Sequence, residues 1–566
     1  MTVINFPPFV WFFAAALLVP FLNGRLRSVF LVLLPISSGL LLYCSESGMH
    51  YQLHILGYDL VLHRADRLSL LFGYLFHIAA FISLVFSLHV QDRVQQVSSL
   101  FYIGSALGAV FAGDLITLFI FWELMAISSV FLVWARRTER AITSGFRYLL
   151  IQMCSGMLFL AGAVIHVYQT GSLSFDYIGL DGLSAWLIFL AFGIKCCFPL
   201  LHNWLTDAYP EATPTGTVFL SAFTTKVAVY CLARAFPGTE ILVYIGATMT
   251  CFPIFYAVIE NDLRRVLAYS LINQLGFMVC GIGIGTALSL NGAVAHAFTD
   301  VIFKGLLFMS MGAVLYMTGR INGSDLGGLY KTMPKTTILC IIGAASISAF
   351  PLFSGFVSKS MVMSAALEEG YHIVWIALLF ASAGVFHHAG IKIPFFAFFA
   401  HDSGLRVSDP PVNMLTAMTI AAMLCVFIGS YPWILYDLLP FDTVYSPFDS
   451  THVLAQLQLL FFSALAFTWL KLSGLYPPEL RSVNLDAEWF YRRFLYRAWG
   501  YVGGCYIITA SILESVFRRL QLSAANGIQY LYGPRGLMGR DVQSGVLVLV
   551  AVLFLLGYLL VYLGNL

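Results

Sequence analysis

Apolar runs of roughly 18 to 25 residues recur from Pro7 to Leu563, separated by short polar segments. Each is long enough to cross a hydrocarbon core of about 30 Å as a helix. The pattern predicts an all-α polytopic membrane protein with roughly 14 to 16 transmembrane helices. The first run, "PPFVWFFAAALLVPFLNGRLR", has no basic residue before it and no small-residue cleavage site after it, so it reads as a retained first helix rather than a signal peptide. Three blocks follow: amino-terminal helices over residues 1–98, a core from 99 to 400, and a less uniform extension over 401–566. Within the extension, "RSVNLDAEWFYRRFLYRAWG" is basic and aromatic, which marks 481–520 as interfacial. Whether Tyr501 to Leu520 spans the membrane or lies along it stays open, with Arg518 and Arg519 arguing for the latter.

Inside the core, "FPL" occurs at Phe198–Leu200 and again at Phe350–Leu352, each time interrupting an apolar helix. His202 and Trp204 follow the first interruption, Gly355 and Lys359 the second. Internal repeats with proline-broken helices point to a transporter whose site lies near the membrane midplane.

Composition agrees: 60% of the 566 residues are hydrophobic and 10% charged, and the mean hydropathy is +0.85. The net charge of +2 and the scatter of basic residues among short loops exclude nucleic acid as a partner. All ten cysteines lie in or beside apolar stretches without a spacing suited to zinc or an iron-sulfur cluster, so no metal or cofactor is expected. The adjacent Cys196 and Cys197 point about 100° apart on a helix and are read as bystanders. Loop arginines and lysines (Arg25, Arg27, Arg136, Arg137, Arg140, Arg147, Arg264, Arg265, Arg320, Lys331, Lys335) fall on one side if the amino terminus is outside an inner (plasma) membrane. The acidic loop "TDAYPEA" on that inner side weakens the assignment.

Charges within the apolar runs carry the chemistry, because a charged side chain at a helix centre costs roughly 2.5 to 3.5 kcal/mol even on mild scales. Glu123 lies mid-helix in "DLITLFIFWELMAISSVFLVW", with Asp114 nearer the end and read as interfacial. Lys195 stands four residues before Pro199, whose ring clashes with the lysine's carbonyl, so the helix should open there. Lys226 is central in "TPTGTVFLSAFTTKVAVYCLARAF", a helix opened by Thr213 as cap and Pro214 at its first position. His296, Asp300 and Lys304 repeat every four residues on one helical stripe, as a proton relay requires; one His and one Asp are too few ligands for a metal. Lys359 follows the second break. Lys392, with His387 and His388 one turn earlier, is nearer a helix end, and function and snorkelling weigh equally for these three. Buried lysines suit proton transfer, since burial and a nearby carboxylate pull their proton affinity in opposite directions. No nucleotide loop, nucleophile set or haem motif is present to supply energy or redox chemistry.

"GIKCCFPLLHNWLTDAYPEATPTGTVFLSAFTTKVAVY" resembles the signature of the antiporter-like subunits of respiratory complex I and of the D-type subunit of the multisubunit Mrp-type sodium/proton antiporters. "ENDLRRVLAYSLINQLGFM", "HAFTDVIFKGLLF" and "GGLYKTMPKTTILCIIGAASISAFPLFSGFVSKS" are similar to further blocks, over about residues 100 to 365. "PPVNMLTAM" and "NLDAEWFYRR" are closer to the Mrp side. The resemblance implies fourteen core helices with two inverted five-helix repeats, at 99–237 and 238–400, each containing a broken helix. By motif position it also implies a proton relay of Glu123, Lys195, Lys226, His296, Asp300, Lys304 and Lys359. Asp300 departs from the pattern, since many relatives carry histidine there, and an Asp300–Lys304 pair would favour a cation other than the proton. Gln274 also stands where some relatives have histidine.

The expected function is translocation of protons, alone or in exchange for sodium, as a lipid-embedded subunit among other membrane subunits of a multisubunit antiporter. Alternatives are a proton-pumping subunit of a complex I-like quinone reductase or hydrogenase, a proton-flux subunit for inorganic carbon uptake, or a scaffold or quinone-binding subunit whose charges only pack helices.

Overall fold

The computed structural model describes residues 6–55, 57–442, 444–480, 484–536 and 544–564. Its helices start where a short polar side chain satisfies N–H groups that have no intrahelical acceptor: Asp92, Asp114, Thr138, Asp262 and Thr286 each accept from backbone N–H groups two or three residues on. The chain opens with α1 (Pro8–Leu18), α2 (Gly24–Tyr43), a hairpin of β1 (Gly48–Ile55) and β2 (Tyr58–Ala65), and α3 (Arg67–Phe86). A first block holds α4 (Arg93–Phe111), α5 (Leu115–Trp134), α6 (Glu139–Thr170), α7 (Gly182–Lys195), α8 (Asn203–Ala208), α9 (Gly216–Ala222) and α10 (Thr224–Ala235). A second holds α11 (Ile241–Ile259), α12 (Leu263–Ile284), α13 (Ala287–Thr318), α14 (Pro334–Ile347), α15 (Ser354–Glu368) and α16 (His372–Val385). The last of these runs through a π turn (Phe386–Ile391) into α17 (Lys392–Pro394) and a second π turn (Phe395–Phe399). Then come α18 (Val412–Ser430), α19 (Trp433–Tyr436) and α20 (Ser450–Leu472).

Fourteen helices among the described residues are long and apolar enough to cross a membrane, and the chain is a multi-pass membrane protein. The shorter apolar helices α7 and α14 are the first halves of interrupted spans. The two blocks match element by element: α6 and α13 are both 32 residues long, and each block crosses five times. An odd number of crossings obliges the second block to enter from the opposite side, so the repeats are inverted.

Their breaks are the same turn built twice. In the first, Cys197 (φ 64°) and Leu200 (φ 69°) take left-handed backbone; in the second, Ala349 (φ 56°) and Leu352 (φ 73°) do. Phe198 N–H reaches back to Gly193 O (2.9 Å) and Phe350 N–H to Ala345 O (3.0 Å). Non-glycine residues so held cost roughly 1–3 kcal/mol each and persist where the surrounding structure over-determines them. A third interruption was not legible in the sequence. Thr213 Oγ1 does accept from Gly216 N–H (2.8 Å), but the span is cut at Phe223 because the Tyr102 hydroxyl inserts into its ladder, accepting from Thr224 N–H (3.0 Å).

The hairpin is an addition to the all-α expectation. It docks through Val61, whose carbonyl accepts from Gly113 N–H (2.9 Å) and whose N–H donates to Asp114 Oδ2 (2.7 Å). Asp114 is at a helix end as expected, and its side chain is buried there. The acidic loop "TDAYPEA" is neutralised in place: Asp207 pairs with Arg147 (2.7 Å) and Glu211 with Arg136 (3.3 Å).

The fold divides into two compact units, Met1–Asp486 and Ala487–Leu566. In the second, a π turn (Phe490–Phe494) leads into α21 (Leu495–Tyr532), followed by α22 (Ser544–Gly564). Residues 501–520 belong to this single helix of 43 residues, about 65 Å long and roughly twice a hydrocarbon core. Residues 481–483 of the basic aromatic segment lie outside the described residues.

Candidate functional site

Lys195 is the last residue of α7, where the first break begins, and is completely buried. Its ammonium donates to Trp122 O (2.6 Å) on α5 and lies 4.2 Å from the centre of the Trp122 ring. The next residue, Glu123, faces Lys195 electrostatically without forming an ion pair. Its carboxylate oxygens have no hydrogen-bond partner among the described residues and are packed over Gly156 of α6, where a Cβ would overlap Oε1. A carboxylate that is close to an ammonium but not bonded to it has somewhere to move.

Lys226 sits three residues past the Phe223 cut and donates to Ser221 O (3.3 Å), a carbonyl freed by it. Its main partner is in the other repeat: Nζ lies 2.6 Å from Asp300 Oδ2 on α13, both residues fully buried. The carboxylate makes no well-aligned hydrogen bond, so this is a charge contact at close range. The Asp300–Lys304 pairing expected from their spacing does not form. Lys304 instead donates to Ser270 Oγ (2.8 Å) on α12, because its side chain is drawn across to the neighbouring helix.

Lys359 returns to the second break from α15 and donates to Ile347 O (2.7 Å). Lys304 and Lys359 both face Asp300 electrostatically, so one carboxylate stands among three buried ammonium groups from two repeats. His296 completes the cluster through Nδ1 and Ser358 Oγ (2.9 Å), which also meets Thr299 Oγ1 (2.9 Å). An ammonium is stabilised where a carboxylate faces it and destabilised by neighbours of its own sign. A carboxylate shared in this way can decide which lysine keeps a proton.

Of the seven sequence-derived residues, Lys195, Lys226 and Lys359 are thus gathered at helix breaks, His296, Asp300 and Lys304 line the stripe of α13, and Glu123 stands in the middle of α5; Glu123 is partly buried and the others fully so. The structure adds hydroxyls that sequence reasoning passed over: Tyr102 to Thr224 Oγ1 (2.7 Å), Tyr148 to Ser129 Oγ (2.7 Å), Ser270 and Ser358. Gln274 is buried and donates to Asn273 Oδ1 (2.6 Å). Lys392 does not snorkel. Fully buried, it donates to the carbonyls of Val258 and Glu260 (both 2.6 Å) at the end of α11 and lies 3.1 Å from Glu479 Oε1. All ten cysteines are free, and among the described residues no His, Cys, Asp and Glu group is arranged to hold a metal.

A family model described as NADH:quinone oxidoreductase/Mrp antiporter, TM, matches residues 112–386. The D-type subunit of the Na(+)/H(+) antiporter of Alkalihalophilus pseudofirmus is 32% identical over 300 residues, 49% of this chain and 60% of that protein. The N-type subunit of the NADH-quinone oxidoreductase of Desulforudis audaxviator is 30% identical over 322 residues, 52% of this chain and 64% of that protein. The chain spans about half to three-fifths of the length of the first curated relatives it matches. In three dimensions, a chain in the structure of the Mrp complex from a Dietzia species superposes with a TM-score of 0.77 over 92% of this chain and 62% of that one, at 22% identity, a likeness of fold. Residues 112–386, over which the chain is similar to the NADH:quinone oxidoreductase/Mrp antiporter transmembrane family, contain both broken helices and the charges from Glu123 to Lys359.

Proposed function

We propose that the chain translocates protons across a plasma membrane as one subunit of a multisubunit cation/proton antiporter. The path runs through Glu123, Lys195, Lys226, Asp300, Lys304 and Lys359, with His296 as a lateral station. The observation that carries this reading is the Lys226–Asp300 contact of 2.6 Å, which joins the two inverted repeats through fully buried charges. A buried ion pair seldom adds net stability over apolar packing, so a role in packing alone accounts poorly for it. Because Asp300 is engaged by Lys226 rather than by Lys304, its charge serves the lysine axis, which supports the proton over sodium as the ion carried here. Likeness to the D-type subunit of a Na(+)/H(+) antiporter supports the assembly with other membrane subunits. With the amino terminus outside, Arg136, Arg264 and Arg320 lie inside, and the ion pairs of Asp207 and Glu211 remove the objection from the acidic loop.

Replacing Lys195 by alanine tests the reading in everted membrane vesicles carrying the whole complex. The expected result is normal assembly with proton flux reduced at least tenfold; native flux with impaired assembly would support a scaffold.

A further inference from the structure

The break at Lys195 is held from a part of the chain that lies beyond both repeats. Its backbone doubles back, so that Trp204 Nε1 donates to Ile194 O (2.8 Å), a carbonyl that also accepts from Cys197 N–H (3.2 Å) and belongs to the residue before Lys195. Cys197 and Leu200 keep left-handed backbone between these two ends, and such strain lasts only where surrounding contacts fix it. Trp204 is carried by α8, and the residue that caps the start of α8 is His202. His202 is buried against Phe252 of α11 (4.7 Å between ring centres), and its Nε2 lies 3.3 Å from Oδ2 of Asp486, itself buried. The same oxygen accepts from the Tyr269 hydroxyl (2.7 Å) on α12 of the second repeat. An ionised carboxylate only accepts, so this contact puts a proton of His202 on Nε2 and orients the ring.

Asp486 reaches this place from the stretch after α20. Asn484 Nδ2 donates to Glu260 Oε2 (3.1 Å) at the turn between α11 and α12, Leu485 is exposed, and Asp486 is buried again, the alternation of an extended stretch tied at two points. The second break is gripped differently. Tyr436 of α19 donates to Val357 O (2.8 Å) and Gln456 of α20 to Ser348 O (3.0 Å), both directly onto backbone. Aligned on "FPL", Ser354 and Phe356 stand there in place of His202 and Trp204, and a phenylalanine ring has no N–H with which to tie the break to itself.

We propose that Asp486 is a positioning residue for Lys195: through His202 it fixes α8, and through Trp204 the carbonyl of Ile194, so that the Lys195 ammonium keeps its place on Trp122 O. The proposal rests on the proton-translocation reading above. Each link is a direct contact, from Asp486 to His202 (3.3 Å), from Trp204 to Ile194 (2.8 Å) and from Lys195 to Trp122 (2.6 Å). Asp486 itself carries no proton in this role.

The test compares Asp486→Ala, Asp486→Asn, His202→Ala and the double alanine variant with Lys195→Ala in everted vesicles carrying the whole complex. It reads the initial rate of proton uptake with a pH-sensitive dye, assembly by co-purification, and amide exchange of the purified complex at both breaks. Asp486→Ala and His202→Ala are expected to assemble and to lose about tenfold in rate, with exchange quickened over residues 198–205 and unchanged over 350–357. The double variant is expected to lose no more than His202→Ala alone, because Asp486 acts through His202. Asp486→Asn keeps an oxygen that accepts from both donors and is expected within about threefold of the native rate. A native rate in assembled Asp486→Ala, with Lys195→Ala inactive, overturns the positioning role and leaves the axis standing. A rate in Asp486→Asn as low as in Asp486→Ala makes Asp486 a proton carrier and overturns it too. Exchange quickened equally at both breaks, or loss of assembly in both Asp486→Ala and His202→Ala, assigns the contact to packing and overturns the proposal. A native rate in Lys195→Ala overturns the axis itself.

Discussion

The two breaks share a backbone and differ in where they keep their charge. Aligned on "FPL", Lys195 of the first repeat corresponds to Ile347 of the second, and the second repeat brings Lys359 back from α15 to donate to that isoleucine's carbonyl. The neighbouring helices differ in the same sense. Aligned on α6 and α13, Tyr148, Gln152 and Gly156 occupy the positions of His296, Asp300 and Lys304. The first repeat therefore carries its charge on α5, where Glu123 packs over Gly156; the second carries it on α13, whose Lys304 reaches α12 at Ser270. The backbone duplicates because the break is a local steric solution, whereas the charges are rearranged. Each repeat then offers a different partner at the interface, which is what lets Asp300 of one meet Lys226 of the other.

Breaking the comparison at Gly156 should have the largest effect after loss of the axis residues themselves. Gly156→Ala places a methyl group on the Glu123 carboxylate. Proton flux in vesicles should fall about tenfold, equivalent to about 1.4 kcal/mol of barrier, with assembly intact. Gly305→Ala on α13, next to Lys304 but with nothing within 4 Å of its Cβ, should leave flux unchanged. Equal effects at the two sites would remove the asymmetry.

Tyr102→Phe sharpens the contrast between breaks made by proline and the cut at Phe223. It leaves Thr224 N–H without its acceptor, and should cost about 1–3 kcal/mol of stability, read as a lower thermal midpoint of the purified complex. An unchanged midpoint would show that the cut does not depend on the inserted hydroxyl.

The smallest effect is at the junction of α4 and α5, which the amino-terminal hairpin covers. His63 on β2 is stacked on Phe111 (4.8 Å), and burial, aided by the charge of His50, lowers its pKa from 6.5 to about 4. The unfolded hairpin binds a proton more readily than the docked one, so docking is strongest above about pH 6.5 and weakens as pH falls towards 4. Amide exchange at Gly113 should quicken between pH 7 and pH 5 after correction for intrinsic rates, and His63→Phe should abolish that dependence.

The spans, both breaks and the buried lysines were legible in the sequence, because a charge or proline inside an apolar run is expensive and stands out. The partners were not. Spacing on α13 ties Asp300 to Lys304, since arithmetic along one helix cannot see Lys226 on another. The Phe223 cut is made by a tyrosine from α4 and leaves no local signature. The hairpin's alternation in "MHYQLHI" and "YDLVLHRA" is submerged in an apolar background. For Lys392 the sequence leaves function and snorkelling in balance, because Glu479, which anchors it, is far along the chain.

The joining of the repeats is tested most directly at Asp300, by measuring proton flux through vesicles carrying the complex with Asp300→Asn, alone and together with Lys226→Met. The single variant leaves a buried ammonium unpaired, at a cost of about 3–5 kcal/mol, whereas the double variant removes both charges and should assemble normally. Flux at background in the assembled double variant is the predicted result. Native flux in that variant would contradict a proton path through the Lys226–Asp300 contact.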